Sequence, residues 1–243
     1  MYQFFLIAAV TLVASFIQSV AGFGFGIFAM IFLPHLLVYT EANVLSTMLS
    51  LSTSVTVAAS LWKRIDLKKI LFPILGFLPS VFLSVRFIGA QSGDTVKLLL
   101  GIALLGLSVF FLFFSGKIRF KPTWYKGLLA GVLSGITGGM FSMSGPPVVV
   151  YFMQSEDEPD DYLATVSSYF LVADVIAIAT KAAAGFVTVN VWIGLLFGAV
   201  GMAVGSFVGR RTRKAIKPQT VKKVVYAVMA ASGVINIVTA LIS

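Results

Sequence analysis

The stretch GLLAGVLSGITGGMFSMSGPPVVVYFM, Gly127 to Met153, contains no charge and is apolar enough for a membrane, yet it gathers Gly138, Gly139, Gly145, Pro146 and Pro147 at its centre. Glycine costs about 1 kcal/mol and proline about 3 kcal/mol relative to alanine in a helix interior, so the stretch reads as two arms around a break. Each arm has about 11 to 14 residues, roughly 16 to 21 Å at 1.5 Å per residue, which falls short of a hydrocarbon core of about 30 Å. The expected structure is a hairpin that leaves on the side it entered.

That reading decides the topology, because composition places the whole chain in a bilayer. Hydrophobic residues make up 58% and charged residues 11%, with a mean hydropathy of +1.00, far outside the soluble range. Runs such as Ile70 to Ile88, Val96 to Phe114 and Thr188 to Val208 match the roughly 20 apolar residues of a crossing helix. A membrane barrel would instead alternate apolar and polar residues in shorter segments.

The net charge of +9 lies between these runs rather than on a soluble face. The basic clusters are Lys63, Arg64, Lys68 and Lys69; Lys117, Arg119, Lys121 and Lys126; and Arg210, Arg211, Arg213, Lys214, Lys217, Lys222 and Lys223. Short cytoplasmic loops carry such clusters under the positive-inside rule, so nucleic acid is not expected as a partner. An even number of crossings must then separate any two clusters. The second and third satisfy this only if Gly127 to Met153 turns back.

The first half contains the counterpart. Tyr2 to Tyr39 is an uncharged apolar run, too long for one crossing and broken at Gly22, Gly24 and Gly26 in GFGFG. A shift of 120 residues sets Gly22 on Ser142, pairing GFGFG with SMSGP and ANVLSTMLSL (42–51) with YLATVSSYFL (162–171). With a slightly larger shift, ILGFLPSVFLSVR (74–86) follows LFGAVGMAVGSFVGR (196–210). The expected fold is an all-α polytopic membrane protein of two inverted repeats, each a broken helical hairpin plus three transmembrane helices. The repeats span 1–115 and 124–243, with a basic cytoplasmic linker at 116–123 and both termini outside. The expected count is about ten segments, or eight where hairpins that do not cross are left out.

Inverted repeats with broken helices in corresponding positions point to a secondary transporter with its site at the breaks. A helix interrupted at membrane depth leaves N–H groups that lipid cannot satisfy, and the N-terminus of a returning arm favours an anion. Gly22, Gly24 and Gly26 allow close approach to the backbone. Ser142 and Ser144, on either side of Met143, add hydroxyls, and Pro146 or Pro147 starts the second arm, beside Gly145. The alternative is that these glycines serve only close helix packing. Gln18 and Ser19 either complete the site or cap the arm; Phe23 and Phe25 either gate the pathway or pack into the bundle.

Three charges lie in or near helices: Arg86, Asp174 and Lys181. Asp174 is the deepest, and either titrates as a proton-coupling residue or pairs with a cation on another helix. Lys181 is about 10 Å away by helix rise, too far for a direct pair. Arg86 and Lys181 either attract an anion or snorkel from the outer ends, with snorkelling expected. The acidic segment SEDEPDD, Ser155 to Asp161, reads as an exposed connector, and this topology puts it inside, where an acidic loop is unexpected. The chain has no cysteine and one histidine, His35, which is expected to be interfacial. Thiolate chemistry, a metal site, a cofactor and catalytic residues are therefore not expected. No Lys or Arg precedes Lys63, so a cleaved signal peptide is not expected.

Taken in order, QSVAGFGFGIFAMIFLP (18–34), GVLSGITGGMFSMSGPPVVVYF (131–152), YLATVSSYFLVADV (162–175) and GAVGMAVGSFVGRR (198–211) resemble the TauE/SafE family of sulfite and organosulfur anion exporters, also called the toluene sulfonate uptake permease family. The resemblance implies outward transport of small sulfur-containing anions such as sulfite, sulfoacetate or other sulfonates across a bacterial or archaeal inner membrane. A coupled proton or sodium ion and a homodimer stay open. GFGFG stands where adjacent glycines are often found in the family, and SMSGPP carries serines at glycine positions; both bear on substrate preference. The competing readings are an anion channel, a carrier for small carboxylates, a membrane enzyme and a non-transporting membrane subunit.

Overall fold

The computed structural model describes residues 2–21, 24–113, 120–156, 158–212, 216 and 218–242, which hold helices and connectors and no strand. The helices are α1 (Tyr2–Ala21), α2 (Phe25–Phe32), α3 (Tyr39–Ser60), α4 (Leu67–Gly89), α5 (Gly93–Phe113), α6 (Trp124–Phe141), α7 (Gly145–Phe152), α8 (Pro159–Ala183), α9 (Val189–Thr212) and α10 (Pro218–Ile242). Short 3₁₀ turns occupy Leu33–His35 and Trp62–Arg64. Seven helices, all except α2, α6 and α7, are long and apolar enough to cross a membrane. Large apolar side chains such as Leu83, Leu196 and Leu241 face outward. In water such a surface would aggregate; in lipid it is the solvated one. The protein is an integral membrane protein.

The hairpins form, but with unequal arms. Instead of two arms of similar length, α6 has 18 residues and α7 has 8. The helix runs through Gly138 and Gly139 because both lie against neighbours: a Cβ on Gly138 would come within 2.6 Å of Ser144 Oγ, and one on Gly139 would overlap Ser84 Oγ. The break falls at Ser142 to Ser144. α7 then returns along α6, so that Tyr151 stands beside Gly127 and its hydroxyl donates to the Thr123 carbonyl at 3.4 Å. In the first half α1 has 20 residues and α2 has 8. Gly26 lies inside α2, so the described part of that break is Gly24.

Two parallel helix pairs are built on glycine. Along α9, Gly201, Gly205 and Gly209 bear on the carbonyls of Ala8, Leu12 and Phe16 of α1. Along α6, Gly131, Gly135 and Gly139 bear on the carbonyls of Pro73, Phe77 and Val81 of α4. Small residues let backbones meet where lipid offers no hydrophobic drive for association. Gly131→Val would drive a side chain into the Pro73 carbonyl, and overpacking typically costs about 1–3 kcal/mol. Thermal melting in detergent is expected to show a clear fall for this variant and none for Gly106→Ala, whose Cβ has open space. Equal melting temperatures would remove the glycine seam from the stability of the bundle.

Two further pairs, α5–α10 and α3–α8, are antiparallel. Gly101 of α5 packs on Gly233 of α10, while Ser108 Oγ donates to the Tyr226 carbonyl at 2.7 Å and Phe111 stacks on Tyr226. α3 packs on α8, so Arg64 just past α3 reaches Asp161 at 2.9 Å near the start of α8. Lys69 likewise pairs with Glu156 at 2.8 Å. The acidic segment therefore lies at the same end as the first basic cluster. The Asp161 hydrogen bond raises the Arg64 guanidinium pKa above its ordinary value. The pair is exposed, so its contribution is placement rather than stability. With α4 and α6 parallel, and α1 and α9 parallel, Lys126, Arg210 and Arg211 also come to this end, the basic end of the molecule.

Candidate functional site

The two breaks touch each other. A Cβ on Gly26, in the first turn of α2, would overlap the carbonyl oxygen of Ser142, at the end of α6. Each break has a residue in the left-handed region. Gly24 has φ 112, where only glycine is at ease, and Ser142 has φ 56. Ser142 is held there from both ends: its N–H donates to the Gly138 carbonyl at 3.0 Å, and its Oγ lies 2.8 Å from Thr47 Oγ1. Strained backbone of this kind persists only where its surroundings over-determine it, and it gathers at ligand sites. The short helices α2 and α7 begin at these breaks, with first-turn N–H groups that no intrahelical carbonyl satisfies.

A cavity of about 600 Å³ ends at the breaks, a volume typical of small-molecule sites. Its mouth is at the basic end, formed by Ser60, Leu61, Asp160 and Arg210, and hydroxyls from Ser50, Thr53, Ser54, Ser167 and Ser206 line its walls. Gln18, Ser19, Gly24, Phe25, Gly26, Ser142, Met143, Ser144, Gly145, Pro146 and Asp174 all border it. Pro147, in the first turn of α7, does not, and Gly22 and Phe23 lie outside the described residues. Asp174 is buried, with Oδ2 lacking a hydrogen-bond partner among the described residues. The cavity thus joins a polar wall, two helix starts and one buried carboxylate.

Past the breaks the molecule is closed. Asn43 Nδ2 donates to the carbonyls of Met140 at 2.6 Å and Gly139 at 3.3 Å, and the Tyr39 hydroxyl also donates to Met140. Lys181 donates to Thr47 Oγ1 at 2.6 Å and to the Gly138 carbonyl at 3.2 Å. The Gly139 and Met140 carbonyls, orphaned by the end of α6, are thereby satisfied from α3, and the Gly138 carbonyl, which already accepts from the Ser142 N–H, takes a second bond from Lys181 of α8. Farther out, Glu41 Oε1 accepts from Thr188 Oγ1 at 2.6 Å and Asn190 Nδ2 at 3.3 Å.

Lys181 corrects an expectation. Instead of snorkelling at a helix end, it is wholly buried, its ammonium turned inward to the Thr47 hydroxyl in the middle of α3 and the Gly138 carbonyl near the end of α6. Arg86 is exposed, with its guanidinium 4.4 Å from the centroid of the Phe82 ring and away from the cavity. Tyr39, Asn43 and Thr47 were absent from the sequence-based site. Their signal is the polar content of α3, which carries Asn43 and many Ser and Thr residues.

The family model described as sulfite exporter TauE/SafE matches residues 7–235, nearly the whole chain. The chain belongs to the TauE/SafE family. Among curated proteins, this TauE/SafE chain is 23% identical over 231 residues to a probable sulfite/organosulfonate exporter TauE of Cupriavidus necator, covering 90% of the chain and 88% of that protein. No solved structure matches it. Both breaks and the closing residues of this TauE/SafE member fall inside the matched range.

Proposed function

We propose that this protein is a secondary transporter that exports small sulfur-containing anions, such as sulfite, sulfoacetate or other sulfonates, by alternating access around the two breaks. The observation that carries the reading is the meeting of both breaks at the blind end of one polar cavity. Helix starts offer N–H donors and partial positive charge to an oxyanion, and the serine hydroxyls add further donors. Sulfur as the central atom comes from the family and from the name of the curated relative.

The repeat supports the transport mode. Exchanging the halves, 1–115 for 124–243, turns the α1–α9 pair into the α6–α4 pair and returns α3–α8 and α5–α10 to themselves. The two hairpins enter from opposite ends, as inverted repeats require. With the basic end in the cytoplasm by the positive-inside rule, both termini face outward and the cavity opens inward. The mouth is open and the far side is sealed, which is the form that loads an export substrate. A proton or sodium ion is the candidate coupling ion. An enzyme acting in the membrane finds no comparable support.

Purified protein in liposomes tests this directly. Radiolabelled sulfite or sulfoacetate is expected to exchange with saturable counterflow, faster than acetate or sulfate. Large single-channel currents would favour a channel, preference for carboxylates would displace sulfur from the reading, and no movement of any anion would leave a non-transporting subunit.

A further inference from the structure

Lys181 is a buried lysine with no carboxylate within ion-pair distance among the described residues; Asp174, seven residues earlier on α8, acts on it electrostatically from beyond that distance. Such a charge is expensive in a membrane protein and marks function unless it is compensated. Its three donors meet one hydroxyl, Thr47 Oγ1, and one carbonyl, Gly138 O. Thr47 in turn meets Ser142 Oγ at 2.8 Å, and Ser142 lines the cavity. A chain of two hydrogen bonds therefore links the ammonium to the end of the cavity, and the same ammonium ties the end of α6 to α3 and α8 on the closed side.

We infer that Lys181 is a charge latch: an anion at Ser142 and Ser144 draws the ammonium from Thr47 and Gly138, and this release opens the closed end. The inference rests on the proposed anion transport. An oxyanion is a better partner for a buried ammonium than a hydroxyl and a carbonyl, since it brings a full opposite charge where those two bring only dipoles. Occupancy and opening then share one contact. Lys181 acts in this scheme as a positioning residue for the transport cycle. Asn43, which holds the Met140 and Gly139 carbonyls without a charge, remains as the part of the seal that an anion does not address directly.

The absence of native cysteine allows a clean test. Ser46 is buried, and its hydroxyl lacks a partner among the described residues, so Ser46→Cys is a small change that reports opening through its rate of modification by a thiol reagent. Sulfoacetate is the probe, because sulfite consumes such reagents. In the otherwise unaltered protein, sulfoacetate is expected to raise the labelling rate several-fold. In Lys181→Met the rate is expected to be high without anion and insensitive to it, with exchange in liposomes reduced at least about tenfold, equivalent to about 1.4 kcal/mol. Thr47→Val, which keeps the cation and removes its hydroxyl partner, is expected to raise the anion-free rate as well, and carries the test where Lys181→Met does not fold.

An unchanged anion response in Lys181→Met, or in folded Thr47→Val a wild-type rate without anion, overturns the latch. So does an unresponsive Ser46→Cys reporter in protein that exchanges sulfoacetate. Failure of wild-type protein to bind or exchange any sulfur anion is a different result: it overturns the transport reading and takes the latch with it.

Discussion

Gly26→Ala is expected to reduce anion exchange by about 100-fold while the protein still elutes as a folded species, the size of effect that a displacement of about 1 Å at a reacting site produces. The added Cβ would overlap the Ser142 carbonyl oxygen, a backbone atom that no rotamer change can move. The two breaks must separate, and donors converging from both would no longer share one anion. Gly145→Ala is the contrast. Its Cβ would lie 3.6 Å from the Phe170 ring, ordinary contact, so exchange is expected to stay within about threefold of wild type. Gly26 therefore answers to close packing at the position where packing and site are the same thing. Folded Gly26→Ala protein with wild-type exchange would remove the touching breaks from the mechanism.

Asp174→Asn is expected to flatten the pH dependence of transport. The carboxylate borders the cavity and has an oxygen without a partner, while the Ser50 hydroxyl from α3 faces it. The other ionisable groups around it are Tyr169 and Lys181 on its own helix, and Asp160 and Arg210 at the mouth. In the proposed coupling role, ionised Asp174 would repel an incoming anion, and protonated Asp174 would not and would carry one proton with the substrate. Wild-type exchange is expected to fall as pH rises across the range in which Asp174 gives up its proton. Asp174→Asn mimics the protonated form, so its rate should be uniform across that range, and a proton gradient should no longer drive accumulation. A pH profile identical to wild type would take Asp174 out of coupling and leave sodium or the membrane potential as the drive.

The legible parts of the site were those that break a local rule. GFGFG and SMSGPP are intolerable in an uninterrupted helix, so their presence in apolar runs announced the two breaks, and Asp174 stood out as a charge among aliphatic side chains. Tyr39, Asn43 and Thr47 were not legible, because a polar residue in a membrane helix can bond to its own backbone one turn back. Thr47 does this too, donating to the Asn43 carbonyl at 3.0 Å. Only the neighbouring chain reveals its second use. Lys181 departs from expectation for a related reason: a lysine near a helix end snorkels by default, whereas here the Thr47 hydroxyl and the Gly138 carbonyl meet its ammonium in the interior.

Composition and the order of apolar runs, glycines and basic clusters determined by themselves that this is a helical membrane protein with two broken hairpins, because bilayer thickness and the ban on unpaired backbone in lipid leave few alternatives. Tertiary structure decided where the helices stop, which end is open and which residues seal the other. Gly138 and Gly139 illustrate the division. Alone they are helix breakers; against Ser144 and Ser84 they are the residues that let the helix continue, since contact with a neighbouring helix offsets their local cost of about 1 kcal/mol each.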